Sequence, residues 1–161
     1  MHCELEKKLE RPDVELFKIG GCHIFAVVLA DHLESRGFIL SRMESETLPW
    51  GCEDGQARHV FLLRGDTMVD VEGVQSLASY IERDLGEQKQ EALNALRAVR
   101  CTKKELLTET KKTEHGHPGN KWNLILDPEF RAECERRARA IIEHDPKKYL
   151  VEPGVSNQPS A

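Results

Sequence analysis

Apolar residues recur at the spacing of an amphipathic helix in several segments of the chain. In the first of these segments, residues 22–36, apolar side chains recur every three or four residues. Gly37 follows and is suited to the left-handed conformation that often ends a helix. Capping residues at Ser76, Thr102 and Asp127 predict further helices. The predicted helices cover residues 22–36, 76–85, 87–100, a short segment from 102, and 128–144.

Residues 58–64 and 67–72 have the composition of two strands, and the turn between them predicts a β-hairpin. Glycine as the first of the two turn residues, Gly65-Asp66, suits a type II′ turn. A further strand is predicted at residues 38–43, directly after the first helix. The three strands before Gly73 form a small antiparallel sheet. The chain after Gly73 is predicted to be mainly helical, with a loop at residues 111–121 and a strand or an extended packing segment at 122–126. Residues 1–19 are predicted to form a short helix or an extended arm.

The two-residue turn determines which side chains of the hairpin share a face. If Arg64 pairs with Thr67, His59 lies opposite Glu72, and His59 and Asp70 are diagonal neighbours on one face, within side-chain reach. A shift of one residue would separate them. The opposite face is entirely aliphatic and consists of Val60, Leu62, Val69 and Val71.

Together these elements predict a single α+β domain over residues 1–151, in which the sheet packs against the helix that begins at Cys22. Residues 75–151 form its helical portion. Residues 44–56 are predicted to be a long loop, a feature that tends to be functional, and residues 152–161 a disordered tail.

Composition restricts the functional classes. The chain of 161 residues has a net charge of -5, which gives no general attraction to nucleic acid or to an anionic membrane. It contains no apolar run long enough to span a bilayer, and its N-terminus lacks the apolar core of a secretion signal. The five cysteines are scattered, which predicts reduced thiols in a cytoplasmic compartment; delivery to another cell stays open.

Cys22 is the candidate nucleophile. It follows Gly20 and Gly21 at the start of a predicted helix, where partial positive charge favours a thiolate. Glycine lets a bound group approach the backbone closely, and unpaired N–H groups at Gly21 and Cys22 could stabilise an oxyanion. The alternative is that Cys22 is a small buried hydrophobic residue.

His59 and Asp70 supply the other groups that thiol catalysis needs. A histidine exchanges protons with the thiol and the leaving group, and a carboxylate orients the imidazole. Glu72, opposite His59 in the predicted register, competes with Asp70 for that orienting role.

The order of these residues, cysteine at a helix start followed by histidine and aspartate on adjacent strands, resembles the papain-like fold in its transglutaminase-like form. That superfamily includes transglutaminases, arylamine N-acetyltransferases and bacterial effector deamidases. The resemblance covers about residues 18–74. It implies a Cys22-His59-Asp70 triad, a thioester intermediate, no cofactor, and a protein or peptide substrate carrying an amide or a glutamine side chain.

The sequence also departs from that pattern. His23 follows the nucleophile, where transglutaminases often have an aromatic residue, and no glutamine precedes Cys22 as it does in papain-type proteases. His23 and Trp50 are candidates for lining a substrate cleft, together with Glu72. The resemblance does not extend to the helical portion after residue 75, so it identifies no particular substrate and no oligomeric state.

Other functions remain open. Cys22, His23, Cys52 and His59 are residue types that bind zinc, as are His115 and His117, but no paired short spacing supports a metal site, and none is predicted. The arginines of residues 128–144 are interleaved with glutamates, as on a solvated helix face, so no nucleic-acid partner is predicted. The main alternative to an enzyme is a non-catalytic interaction module, such as an adaptor, an inhibitor or an immunity-type protein.

Overall fold

The computed structural model of the protein describes residues 3–18, 21–44, 59–86, 90, 94, 96–108 and 127–150. The helices described with both ends are α1 (Cys3–Leu9), α2 (Asp13–Lys18), α3 (Cys22–Leu33), α4 (Leu77–Leu85), α5 (Lys103–Thr108), α6 (Pro128–His144) and α7 (Pro146–Tyr149). The strands are β1 (Ile39–Glu44), β2 (Val60–Arg64), β3 (Thr67–Asp70), β4 (Gly73–Ser76) and β5 (Arg97–Arg100).

The strands form one five-stranded sheet in the order β4-β3-β2-β1-β5, with every neighbouring pair antiparallel. The fold is therefore α+β, as the sequence predicts. β1 lies next to the β2–β3 hairpin, which gives the predicted three-stranded centre. β4 and β5 extend this centre on its two sides.

The β2–β3 hairpin has the predicted register, with the pairs Leu62–Val69, Leu63–Met68 and Arg64–Thr67. Gly65 has a φ of 58°, whereas Asp66 keeps a negative φ, which is the pattern of a type II′ turn. The prediction that the second strand continues to Glu72 is wrong. β3 ends at Asp70, and Val71 and Glu72 form a turn.

The chain reverses direction at Gly73, whose φ of 100° is a conformation that glycine adopts without strain. The following residues pair with β3 as β4, so the prediction of a helix directly after Gly73 is wrong. The backbone groups on the outer edge of β3 need hydrogen-bond partners, and β4 supplies them. The sequence does not reveal β4, because a strand of four residues is too short to show an alternating pattern. Helix α4 begins at Leu77, and Ser76 caps it as predicted by accepting a hydrogen bond from the Ser79 N–H at 3.0 Å.

The two faces of the sheet pack against different parts of the chain. The predicted aliphatic face, Val60, Leu62, Val69 and Val71, belongs to the main core together with the buried residues of α2, α3 and α6. On the opposite face, Phe61 and Met68 form a second buried cluster with Tyr80 of α4. His59 and Asp70 share this second face, as the register predicts.

Helix α3 lies at the centre of the main core. Nine of its residues are buried, so it contacts protein on nearly all sides, as a helix that is apolar all round must. A 3-10 turn, Glu34–Arg36, follows it, and Gly37 ends the segment with a φ of 84°, as predicted.

The prediction of a helix over residues 87–100 is wrong at its C-terminal end. Residues 90 and 94 are helical, but Arg97–Arg100 is the edge strand β5, which pairs with β1 through contacts such as Met43 with Ala98. Spacing of alanine and leucine cannot reveal this pairing, because the outer edge of β1 supplies the reason for it.

Two helix starts in the C-terminal half are confirmed. The Glu105 N–H donates to the Thr102 hydroxyl, and the Thr102 N–H donates to the Glu105 carboxylate, which makes a capping box. The Asp127 carboxylate accepts from the Phe130 N–H at the start of α6. The apolar stripe of α6 is buried at Phe130, Cys134, Ala138 and Ile142, and partly buried at Ile141.

The N-terminal segment, predicted as a short helix or an extended arm, forms the two helices α1 and α2. Several other predictions lie outside the described residues: the loop at 44–56 apart from Glu44, the loop at 111–121, the segment 122–126 and the tail 152–161. Among the described helices, none is long and apolar enough to cross a bilayer.

Candidate active site

Cys22 is the first residue of α3, as predicted, and Gly21 precedes it as the helix cap. The Gly21 carbonyl accepts hydrogen bonds from the N–H groups of Ile24 and Phe25. The Gly21 N–H donates to the Leu16 carbonyl at 2.9 Å, and a Cβ at Gly21 would come equally close to that oxygen, at 2.9 Å. Glycine therefore allows α2 to lie directly against the start of α3.

These hydrogen bonds decide which backbone groups could stabilise an oxyanion. The Gly21 N–H is already engaged with Leu16, so it does not serve this purpose. The Cys22 N–H is in the first turn of α3 and has no acceptor within the helix. Of the two predicted backbone donors, only Cys22 remains a candidate.

His59 and Asp70 form a buried pair, as the hairpin register predicts. His59 Nε2 lies 2.7 Å from Asp70 Oδ2, and the two side chains are 8% and 3% exposed. The His59 carbonyl accepts from the Met43 N–H, which holds the residue beside β1. The other carboxylate oxygen of Asp70 accepts from the Glu72 N–H at 2.8 Å and from Gln75 Nε2 at 3.2 Å.

Glu72 does not take the orienting role that the sequence left open to it. Its carboxylate forms ion pairs with Lys18 Nζ at 3.2 Å and with the Arg83 guanidinium at 2.7 Å. The turn after Asp70 is the reason, because it removes Glu72 from the strand and from the position opposite His59. Glu72 therefore connects the end of α2 with α4 beside the site.

The Cys22 thiol interacts with two imidazoles, those of His23 and His59. Its Sγ is 3.4 Å from His23 Nδ1, in a buried contact between neighbouring residues of α3. Burial by itself would raise the pKa of Cys22, but interactions first with His23 and then with His59 lower it well below its ordinary value. Burial would lower the pKa of His59, whereas its hydrogen bonds and charge interactions with Asp70 and Cys22 raise it to about 9.

Two other buried thiols behave differently from Cys22. Cys22, Cys101 and Cys134 are all free and all buried. Burial raises the pKa of both Cys101 and Cys134 to about 12. The direction is opposite at Cys22 because two histidines lie next to it, so burial alone does not explain the character of this thiol.

Two residues that the sequence analysis did not select also support the histidine. The Tyr80 ring stacks on the His59 ring with centroids 5.2 Å apart and an interplanar angle of 22°. Gln75, on the unpredicted strand β4, donates to Asp70. The spacing of Leu77, Tyr80 and Ile81 is the signal that could have placed Tyr80 on the inner face of α4.

The remaining predicted cleft residues behave differently from one another. His23 is buried, with 4% of its surface exposed, and contacts the thiol. Trp50 and Cys52 lie outside the described residues, as do His115 and His117. Within the part of the chain that the structure describes, no group of three or more potential ligand residues is arranged to hold a metal ion.

Comparison of the chain with protein-family models, with curated proteins and with solved structures gave no match.

Proposed function

We propose that the protein is a thiol-dependent acyl-group enzyme that attacks amides through Cys22, with His59 as the proton-transfer group and Asp70 as its orienter. One observation carries the proposal: a buried His59–Asp70 pair is joined at 2.7 Å, and its histidine helps to lower the pKa of a thiol at the start of a helix. Nucleophile, base and orienting acid are the three roles that this chemistry requires.

The electrostatics support a thiolate and an imidazolium in the resting state. The pKa of Cys22 is lowered well below its ordinary value and that of His59 is raised to about 9, so the proton resides on the histidine near neutral pH. Such a pair makes the nucleophile available without a separate activation step. Asp70 stabilises the positive charge and leaves His59 Nδ1 as the ring nitrogen for the thiol.

In the first stage, Cys22 Sγ attacks the amide carbon and a C–S bond forms while the carbonyl electron pair moves to oxygen. The Cys22 N–H, which has no acceptor within α3, stabilises that oxygen. The C–N bond then breaks, and the amine leaves with the proton of His59, which gives a thioester. In the second stage, water attacks the thioester and gives a proton to His59, the C–S bond breaks, and the thiolate returns with release of an acid.

The substrate class follows from this chemistry. A peptide amide would be hydrolysed, a glutamine side chain would be deamidated to glutamate with release of ammonia, and an amine in place of water would give acyl transfer. We favour hydrolysis or deamidation, because water is always present. Helix α3 begins with the cysteine and packs against an antiparallel sheet that carries the other two residues, and this arrangement supports a papain-like core of the transglutaminase-like form.

The first test is the pH dependence of Cys22 alkylation by iodoacetamide, measured by mass spectrometry of the cysteine-containing peptides. We expect a midpoint well below the ordinary thiol value of about 8.5, and we expect His59→Gln to raise it. His144→Gln is the matched control, since His144 is exposed at the end of α6. A midpoint at the ordinary value, or one that His59→Gln does not change, would contradict the proposal.

The second test is catalytic. We expect ammonia or amine release from a library of glutamine peptides and peptide amides, and a mass increase on the protein from the thioester. Both signals should disappear in Cys22→Ala and persist in Cys101→Ala, which removes a buried thiol outside the site. Equal processing of every substrate by Cys22→Ala and the parent protein would exclude the enzyme.

One observation favours the alternative of a non-catalytic interaction module: Cys22 is only 4% exposed. A substrate carbonyl must reach Sγ, whereas a structural residue needs no access. The alkylation experiment separates the two functions, because a thiol that never reacts in the folded protein is structural. In that case a protein partner, rather than a substrate, would be sought.

A further inference from the structure

His23 contacts the reacting atom of the proposed site but has no role in the triad. It follows Cys22 in the first turn of α3, and its Nδ1 lies 3.4 Å from Cys22 Sγ, within hydrogen-bonding distance for sulfur. Both residues are 4% exposed, so little water competes for this contact. The contact between His23 and Cys22 is therefore part of the buried fold and is not a chance contact of a surface side chain.

The two histidines approach the thiol from different elements and in different states of restraint. His59 comes from the sheet, and Asp70 holds its Nε2. His23 belongs to the same helix as the cysteine, so the helical backbone of α3 places its ring beside Sγ. A group that transfers protons must gain and lose a proton during each catalytic cycle. The Asp70 carboxylate orients the His59 ring and stabilises its protonated form, so His59 is the histidine suited to that task.

We propose that His23 is a second catalytic residue, which donates its Nδ1–H to Cys22 Sγ and stabilises the thiolate while His59 alone transfers protons. This inference rests on the proposed thiol chemistry and extends it. His23 keeps its proton throughout, so it adds no step to the proton balance. The hydrogen bond is strongest whenever sulfur carries negative charge, before attack on the substrate and again when the C–S bond of the thioester breaks.

The hydrogen bond from His23 matters most when the C–S bond of the thioester breaks. A thiolate with a low pKa is a better leaving group, although it is a somewhat weaker nucleophile. Stabilisation of the departing Cys22 thiolate therefore favours breakdown of the thioester by water. This role fits a hydrolase or a deamidase, in which deacylation must complete each turnover.

The titratable groups around the thiol lie on four elements. His23 is on α3 and His59 precedes β2; behind them are Asp70 on β3 and Tyr80 on α4, whose pKa is raised by burial and by the charges of Asp84, Asp70 and Cys22. The side-chain interactions that lower the pKa of Cys22 come from the two histidines, and His23 contributes the larger effect. The structure therefore supports a distinct contribution from each imidazole.

The test compares two substitutions at one position. His23→Phe keeps a flat ring but removes the donor, whereas the amide nitrogen of His23→Asn can occupy the place of Nδ1. We expect His23→Phe to raise the midpoint of Cys22 alkylation by about one pH unit or more, and His23→Asn to restore part of the difference. Cys101 and Cys134 are internal reporters of folding, because they should stay unreacted while the core is intact.

A second readout excludes a merely structural role. Above the midpoint, where the thiol is fully ionised, His23→Phe should alkylate about threefold faster per pH unit of midpoint shift, because thiolate nucleophilicity increases with pKa. In turnover of the best glutamine or amide substrate, the thioester should accumulate in this variant. A variant that is only loosely folded would react at all cysteines and would show neither effect.

The outcomes distinguish this inference from the proposed function. If His59→Gln raises the midpoint and His23→Phe does not, His23 has no catalytic role and the triad stands. If His23→Phe alone raises it, the proposed role of His59 fails, and if neither does, both proposals fail. Should the His23 variants not fold, ¹⁵N resonances of the wild-type His23 ring provide the test, because Cys22→Ala must shift them if Nδ1–H is bonded to sulfur.

Discussion

Replacement of Asp70 by asparagine removes the charge that faces His59 while it nearly keeps the shape of the side chain. The Asp70 carboxylate accepts from His59 Nε2 at 2.7 Å and from the Glu72 N–H at 2.8 Å. An asparagine can keep an oxygen toward Glu72 only by turning its NH₂ group toward His59, where a donor would meet a donor. The substitution therefore acts against the imidazolium form of His59.

The size of the effect follows from the pKa of His59. Its rise from 6.5 to about 9 corresponds to about 3 kcal/mol in favour of the imidazolium. Both Asp70 and Cys22 contribute to this free energy. The contribution of Asp70 is therefore best measured in a Cys22→Ala background. There the charge-assisted hydrogen bond to Asp70 should contribute about 1.5–3 kcal/mol, with little screening because both side chains are buried.

The sign of the pH dependence is determined by the direction of this shift. Below pH 6.5, His59 is protonated in both folded and unfolded chains, so its stabilisation is fully present. It is lost as the pH rises through the folded-state pKa, which is about 9 with the thiol and lower without it. The Cys22→Ala background also removes the opposite contribution of the thiol, whose lowered pKa adds stability as pH rises in the same range.

The assay is urea unfolding at pH 6, 7, 8 and 9, followed by far-ultraviolet circular dichroism. We expect Asp70→Asn to cost about 2 kcal/mol at pH 6 and about 1 kcal/mol or less at pH 9, as the neutral imidazole makes a weaker hydrogen bond. Asp84→Asn is the control, since the exposed Asp84–Arg83 ion pair should contribute less than about 1 kcal/mol at every pH. An equal cost of Asp70→Asn at pH 6 and pH 9 would refute the reasoning.

Two further predictions concern the surroundings of the site. Gly73→Ala should lower the free energy of unfolding by about 2 kcal/mol or more, because Gly73 has a φ of 100° and a Cβ there would come within 2.8 Å of a side-chain atom of α7. Gly65→Ala is the control, since there is open space around Gly65. In urea unfolding, Gly65→Ala should lower the free energy of unfolding by less than Gly73→Ala does. Tyr80→Leu removes the ring stacked on His59 and should cost about 1–3 kcal/mol and raise the midpoint of thiol alkylation, whereas Tyr80→Phe keeps the ring and should change the midpoint little. An unchanged midpoint in Tyr80→Leu would mean that the stacking does not orient the histidine.

The elements that the sequence predicts correctly are those whose causes lie within a few residues. The turn residue Gly65 sets the register of β2 and β3, and Ser76, Thr102 and Asp127 form the predicted helix caps. Alternation along the hairpin then places His59 and Asp70 on one face. The contact between them follows from local geometry, which is why it could be predicted without a tertiary structure.

The predictions that fail depend on partners elsewhere in the chain. Residues 97–100 form a strand because the outer edge of β1 requires hydrogen bonds, although their spacing indicates a helix. The segment after Gly73 pairs with β3 for the same reason before α4 begins. Helical and strand patterns in such short segments are similar, and only the neighbouring strand decides between them.

The sequence by itself determined the start of α3 at Cys22, the hairpin register and hence the meeting of His59 with Asp70, because capping, turn geometry and side-chain alternation act over short distances. Only the tertiary structure decided between Asp70 and Glu72. The turn after β3 directs Glu72 to Lys18 and Arg83, which come from other helices. Ion pairs and stacking between distant residues leave no periodic signal in the chain, so they become visible only when the elements are packed together.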